Sequence, residues 1–216
     1  LRAKARERGD AYFCEIDGER FSLARLDLLS DRFAAGLRAR GVKAGETVAS
    51  VLFNCSEQLI GWFGTMKLGA IWTPLNASLN GSDLMHALTD AAARVVIVEP
   101  ETWERIERLG PDAVAPFEFF AAHGDCPGLP RFDDLLSDAP ITEWPVLHPG
   151  DPAIIIYSGG TTGLPKGIVL SHFAMVAAGL RYKEITGAGP ADSHYSTLSL
   201  FHVGGTQLGF IGPMLS

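Results

Sequence analysis

One stretch of the sequence is more informative than any other: Tyr157-Ser158-Gly159-Gly160-Thr161-Thr162-Gly163-Leu164-Pro165-Lys166-Gly167. Short, apolar, β-branched runs precede and follow it, at Ala153–Ile156 and Ile168–Leu170, and these predict two buried strands. Glycines let backbone N–H groups approach a ligand, hydroxyls donate hydrogen bonds, and Lys166 adds a mobile positive charge. The loop is therefore expected to bind an anion, and a phosphate chain is the favoured ligand.

This loop differs from a Walker A phosphate loop, although its composition is similar. Walker A requires Gly-Lys-Ser/Thr leading into a helix, whereas Lys166 follows Pro165, which biases Leu164 away from helical angles. Gly167 and β-branched residues come next, so the chain is predicted to leave the loop as a strand. The alternative is a long glycine-rich hairpin turn with an incidental lysine. Such turns rarely combine serine and threonine hydroxyls with a lysine.

The loop and the residues after it, through His172, closely resemble the phosphate-loop signature of the adenylate-forming (AMP-binding) superfamily. That family includes acyl-CoA synthetases, firefly luciferase and the adenylation domains of peptide synthetases. Its usual pattern has serine where this chain has Gly159, so one hydroxyl contact is either missing or supplied by Ser158. The resemblance implies that ATP is bound by Ser158, Gly159, Gly160, Thr161, Thr162, Gly163 and Lys166.

A second segment, Leu198–Gly205, resembles a family segment in which proline commonly stands at the position of Ser199. We predict a strand-like run here that ends at a histidine and two glycines. Spacing alone favours a histidine whose ring is satisfied by a backbone carbonyl at a strand end. In the family's acyl-CoA ligases, however, the matching region lies beside the reacting carboxylate. The resemblance therefore implies that the substrate is contacted by His202, Val203 and Gly204.

Strand and helix patterns alternate along most of the chain, which implies parallel strands with right-handed crossovers. Strands are predicted at Val48–Phe53, Ala70–Pro74, Val95–Val98 and Phe117–Phe120. Helices are predicted to begin at Ser22, Ser56, Ser82-Asp83, Pro100 and Ser171, with a short one near Leu135-Leu136. The fold class is α/β. The resemblance identifies residues 1–216 as a partial N-terminal AMP-binding domain, with parallel-rich sheets flanked by helices.

Composition excludes several classes of protein. The 216 residues are 47% hydrophobic and carry a net charge of −7 without a basic cluster, so nucleic-acid binding is not expected. Cys14, Cys55 and Cys126 form no CxxC pair, which favours reduced thiols, no zinc site and a cytoplasmic location. No apolar run reaches the length of a membrane span, so no transmembrane segment is predicted.

The resemblance also implies a reaction. A carboxylate attacks the α-phosphorus of Mg²⁺-ATP to give an acyl-adenylate, and the thiol of CoA, the co-substrate, then displaces AMP. A link to fatty acid metabolism is a further expectation. The family's adenine-binding, ribose-binding and Mg²⁺-associated motifs, and its C-terminal catalytic lysine, are expected beyond Ser216. The 216 residues are therefore interpreted as an N-terminal fragment that is inactive by itself and holds no certain catalytic residue.

Three functions stay open: an acyl-CoA ligase, which is favoured, an amino-acid adenylation domain that feeds a carrier protein, and a non-enzymatic nucleotide-binding relative. Peptide-synthetase adenylation domains place an aspartate after the phenylalanine, where this chain has Phe201-His202. A neutral imidazole offers no fixed negative charge to an ammonium group, which favours a simple carboxylic acid. A homodimer is also left open. The loop is expected to be mobile without nucleotide, and His86, Trp72 and Asn76 are interpreted as structural.

Overall fold

The computed structural model describes residues 1–79, 81–139, 141–158 and 163–216. Helices and strands alternate through most of its length. In chain order the elements are α1 (Arg2–Arg8), β1 (Tyr12–Ile16), β2 (Glu19–Ser22), α2 (Leu23–Ala39), β3 (Thr47–Val51), α3 (Ser56–Lys67), β4 (Ile71–Pro74), α4 (Gly81–Asp90), β5 (Ala93–Val98), α5 (Pro100–Glu107), α6 (Pro111–Val114), β6 (Glu118–Ala121), a 3₁₀ helix (Phe132–Leu135), β7 (Pro152–Ser158), β8 (Lys166–Ser171), α7 (His172–Thr186), a π-helix (Gly204–Ile211) and α8 (Gly212–Leu215).

A six-stranded sheet with the order β6-β5-β3-β4-β7-β8 forms the centre of the fold. Its first five strands pair in parallel, as in the register Val48↔Trp72↔Ile154, and β8 joins β7 antiparallel at one edge. The connections from β3 to β4, β4 to β5 and β5 to β6 cross over through α-helices, as the alternating pattern predicted, whereas the described part of the β6–β7 connection contains a 3₁₀ helix. The predicted α/β class, with a mostly parallel sheet flanked by helices, is confirmed.

Both faces of the parallel strands are buried. Successive side chains of a strand point to opposite faces, so Val48 and Ile97 pack with α2 and α3 on one face of the sheet. Ala49 and Val96 pack with α4 and α5 on the other face. Burial on both faces explains why these strands are near-continuous apolar runs instead of alternating ones.

Local capping chemistry places most helix starts where the sequence predicted them. The Ser22 hydroxyl accepts a hydrogen bond from the backbone N–H of Arg25 at 3.0 Å, and the Ser171 hydroxyl accepts one from Ala174 at 3.2 Å. The predicted cap at Ser56 is wrong. Cys55 has the extended cap backbone, so Ser56 is already the first helical residue.

A short antiparallel hairpin formed by β1 and β2 was not predicted, nor was α1. The hairpin turn is Asp17-Gly18, and both residues have positive φ angles, 50° and 75°. Asp-Gly is a favoured sequence for a turn in which both central residues have left-handed angles. The dipeptide was therefore an available signal for this hairpin.

Apolar side chains are exposed on β8 and on α7, beside the edge of the sheet. The prediction that Ile168–Leu170 is a buried strand is therefore wrong, because β8 is the outermost strand. Ile168, Val169, Phe173 and Leu180 are between 52% and 65% exposed. No helix within the described residues combines the length and the apolar composition needed to cross a membrane.

Candidate active site

The glycine-rich loop joins two antiparallel strands. Ser158, at the end of β7, is in register with Lys166, at the start of β8, and its hydroxyl donates to the Lys166 carbonyl at 3.4 Å. The prediction that this loop leads from strand to strand is confirmed. The predicted phosphate ligands Gly159, Gly160, Thr161 and Thr162 lie outside the described residues, and so does half of the segment 158–165 that was expected to be mobile.

The described part of the loop's return arm runs from Gly163 to Lys166. The Lys166 side chain is exposed, and within the described ranges its ammonium makes no ion pair or hydrogen bond. Among the described residues, nothing lies within 4 Å of a Cβ atom built on Gly163, and none of them closes this part of the backbone to a ligand. An accessible, unpaired ammonium beside an open backbone is suited to bind an anion.

Helix α4 supports both stems of the loop. On the entry side, the Tyr157 hydroxyl donates to the Asp90 carboxylate at 2.6 Å. On the exit side, His86 Nε2 lies 3.2 Å from the carbonyl oxygen of Pro165, which can only accept, so Nε2 carries the proton. His86 and Asp90 are four residues apart and therefore share one face of the helix. One rigid helix thus fixes the spacing of the two stems.

Burial and the contact with Asp90 both favour the protonated form of the Tyr157 phenol. Burial raises the pKa of Tyr157 above its ordinary value, and the hydrogen bond to the Asp90 carboxylate raises it further. The phenol is therefore a stable hydrogen-bond donor at neutral pH and does not add negative charge beside a phosphate site. The interpretation of His86 as structural did not foresee its contact with the loop.

Residues 198–205 do not form the strand that the sequence predicted. The chain turns here, with the backbone N–H of His202 donating to the Ser199 carbonyl at 3.0 Å, and then enters the π-helix. Gly205 permits this close packing, because a Cβ atom on it would lie 2.0 Å from the Ser199 carbonyl oxygen. The apolar run is therefore a turn with a helix packed against it.

The His202 imidazole is exposed and has no hydrogen-bond partner in the described part of the chain. Its backbone carbonyl, in contrast, accepts from both the N–H (3.0 Å) and the hydroxyl (3.3 Å) of Thr206. The alternative of a ring satisfied by a backbone carbonyl is thus not what the structure shows. Val203 is exposed and Gly204 half-buried beside it, which leaves this face of the turn open.

Gly205→Ala is expected to destabilise the protein, because the added methyl group must push the turn and the π-helix apart. Overpacking of this kind costs about 1–3 kcal/mol. Thermal unfolding of the variant measures the loss. Gly189→Ala is the matched control, since a Cβ atom there meets nothing within 4 Å and its φ is not left-handed. Equal unfolding midpoints for the two variants would contradict the close approach described above.

The loop and the His202 turn lie toward the same end of the sheet. Parallel strands all finish at one end, so the chain segments that follow β3 and β7 emerge together there. The loop follows β7 directly. The turn is held to Asn54, three residues after β3, by hydrogen bonds with Leu198 and Leu200. Nothing in the sequence indicated these long-range contacts.

No group of three or more histidine, cysteine, aspartate or glutamate side chains that could hold a metal occurs within the described residues. The structure also assigns no catalytic residue among them. The site, as far as it is described, consists of an anion-binding arm and an open turn with an unpaired imidazole.

Comparison with known proteins identifies the family. A family model described as "AMP-binding enzyme" matches residues 1–216. The chain is 31% identical over 199 residues to 4-coumarate–CoA ligase 3 of Oryza sativa subsp. japonica, covering 88% of the chain and 35% of that protein. It is 34% identical over 186 residues to indoleacetate–CoA ligase of Aromatoleum aromaticum, covering 85% of the chain and 36% of that protein.

A solved structure of a CoA ligase is also similar to this chain. The anthranilate CoA ligase AuaEII, crystallised in complex with anthranoyl-AMP, superposes with a TM-score of 0.90 at 27% identity. The superposition covers 98% of this chain and 42% of that one. The chain thus spans a little over a third of the length of the curated relatives quoted above.

Proposed function

Because this chain belongs to the AMP-binding enzyme family, we propose that the whole protein activates a carboxylic acid with ATP and transfers the acyl group to CoA. The first step breaks the bond between the α- and β-phosphates and forms an acyl-adenylate with release of pyrophosphate. In the second step the CoA sulfur bonds to the acyl carbon and AMP leaves. The observation that carries this proposal is the exposed ammonium of Lys166 on the strand–loop–strand arm, which has no partner among the residues that the structure describes.

The arm supplies binding and positioning. Lys166 and the backbone near Gly163 would contact the β- and γ-phosphates, together with Ser158 and the four loop residues 159–162. Charge neutralisation and in-line positioning provide most of the catalysis in phosphoryl-group chemistry. The support from α4 favours this role, since a fixed distance between the two stems restricts where the phosphates can lie.

Mg²⁺ is proposed to accompany the ATP phosphates. Mg²⁺ commonly binds through substrate phosphates with only one or two carboxylates. The described residues contain no cluster that could hold the ion by themselves. When bound, the ion would neutralise phosphate charge.

We propose an acid without an ammonium group as the substrate. The open turn presents the His202 imidazole and the apolar Val203, with no fixed negative charge among these residues to pair with an ammonium. The relatives quoted above are ligases of 4-coumarate, indoleacetate and anthranilate, according to their names. Aromatic acids therefore come first in an assay, followed by fatty acids of increasing length and by amino acids, which test the adenylation-domain alternative.

Lys166→Ala in the whole protein is expected to slow adenylate formation. A hydrogen bond to a charged group contributes about 1.5–3 kcal/mol, which corresponds to a rate loss of roughly tenfold to a hundredfold. The measurement is acid-dependent exchange of labelled pyrophosphate into ATP. Lys43→Ala is the control, because Lys43 is an exposed lysine in the turn between α2 and β3. An unchanged exchange rate in the Lys166 variant would remove the loop from the proposed function.

A further inference from the structure

We propose that Asn54 is a positioning residue for the carboxylate-binding turn, defined as residues 198–202. This inference rests on the proposed function, because it concerns the acid-binding half of that site. Asn54 lies between β3 and α3, and the residues it bonds are 144 and 146 positions further along the chain. It therefore connects the central sheet to the turn that carries His202.

Both ends of the Asn54 side-chain amide are used. Its Nδ2 donates to the Leu198 carbonyl at 3.0 Å, and its Oδ1 accepts from the Leu200 backbone N–H at 2.7 Å. A carbonyl and an N–H two residues apart are the groups that a neighbouring β-strand would normally satisfy. The Asn54 side chain thus takes the place of a neighbouring strand. Its two hydrogen bonds fix the distance of the turn from the sheet and the orientation of the turn's backbone.

The two Asn54 hydrogen bonds also restrict the backbone position of His202. The His202 N–H donates to the Ser199 carbonyl, and the His202 carbonyl accepts from Thr206 at the start of the π-helix. The backbone of His202 is therefore held on both sides while its imidazole stays exposed and unpaired within the described residues. A fixed backbone with a free ring is what a substrate-contacting group requires.

Asn54 is not needed to keep the turn attached to the protein. Leu200 is only 6% exposed and packs in the main hydrophobic core, so burial of this side chain holds the segment in place. Loss of the amide should therefore loosen and shift the turn without unfolding the chain. A shift of about 1 Å at a reacting group can cost on the order of a hundredfold in rate.

Two variants test the role of the amide in the whole protein. Asn54→Asp has the same shape and keeps an acceptor for Leu200, but it places a carboxylate oxygen against the Leu198 carbonyl. Asn54→Ala removes both bonds. We expect kcat/KM for the acid to fall by about tenfold to a hundredfold in both variants, with KM for ATP changed by less than about twofold. Ser56→Ala is the control, since that hydroxyl bonds only the neighbouring Glu57 side chain among the described residues.

Hydrogen exchange gives a readout that does not depend on activity. The Leu200 amide should exchange faster in Asn54→Ala than in the parent protein, because its acceptor is gone. The proposal is supported if exchange accelerates and only the acid parameters change. It is overturned if both variants keep their kcat/KM for the acid, or if the parameters for acid and ATP deteriorate equally. A parent protein inactive with every acid would instead refute the proposed function, and the role of Asn54 along with it.

Discussion

The 216-residue chain, expressed by itself, is expected to fold and to form no measurable acyl-adenylate or acyl-CoA. The units from β3 to β6 bury their apolar faces in two hydrophobic clusters, which we expect to be enough for folding although β8 and α7 expose apolar side chains. Phosphate contacts alone, however, cannot fix the α-phosphorus against a carboxylate. We propose that other segments of the whole protein bind the adenine and the ribose. Loss of reactant positioning can remove about 7–11 kcal/mol of catalysis, which makes turnover undetectable.

A paired assay checks this expectation. The chain and the whole protein are incubated with ATP, Mg²⁺, CoA and the same panel of acids, and acyl-CoA is quantified. Circular dichroism and a cooperative melting transition establish that the chain is folded under the assay conditions. Acyl-CoA formed by the folded 216-residue chain would show that these residues position both reactants without the further segments.

Trp72→Ala is expected to have the largest effect on stability. Trp72 lies in β4 near the middle of the sheet, is 1% exposed, and sits against Gly61 of α3, where a Cβ atom would come within 2.8 Å of the indole. Replacing a buried tryptophan by alanine typically costs about 3–5 kcal/mol. For a domain of this size that corresponds to a decrease in Tm of very roughly 6–20 °C.

Trp144→Ala provides the comparison within the same protein. Trp144 is half-buried, and its ring stacks on the Arg2 guanidinium, whose central carbon lies 3.6 Å from the ring centroid. The variant loses a partly exposed cation–π contact, worth about 0.5–1 kcal/mol, and the partial packing of the ring against the core, which together should cost less than full burial at Trp72. The melting temperatures of the Trp72 and Trp144 variants should therefore differ clearly. Similar melting temperatures would mean that the Trp72 site collapses around the smaller side chain.

Elements set by local chemistry were predictable from the sequence. The caps at Ser22 and Ser171 depend on residues within three positions, and the strand–loop–strand form of the phosphate arm depends on Pro165 and the β-branched residues after it. The architectural interpretation of Trp72 agrees with its burial.

Features that depend on distant residues were not predictable. Residues 198–205 alternate in a strand-like way, yet their conformation is fixed by Asn54, 146 positions before Leu200. The two hydrogen bonds between α4 and the loop stems likewise join residues that are far apart in the sequence, by 67 and 79 positions. A single sequence contains no periodicity that pairs such positions. The motif predicts the ligand residues, whereas the residues that support the loop stems and the turn could not be predicted.

The position of β8 also affects how the protein can be handled. β8 is the outermost strand, and an open sheet edge can recruit strands from other molecules. Ile168 and Val169 add exposed apolar surface to that edge, whereas the charged Lys166 at its start counteracts self-association. Aggregation should therefore rise with protein concentration and with neutralisation of that lysine. Light scattering should be measured alongside the Lys166→Ala assays, because an aggregated sample loses activity for reasons unrelated to ATP binding.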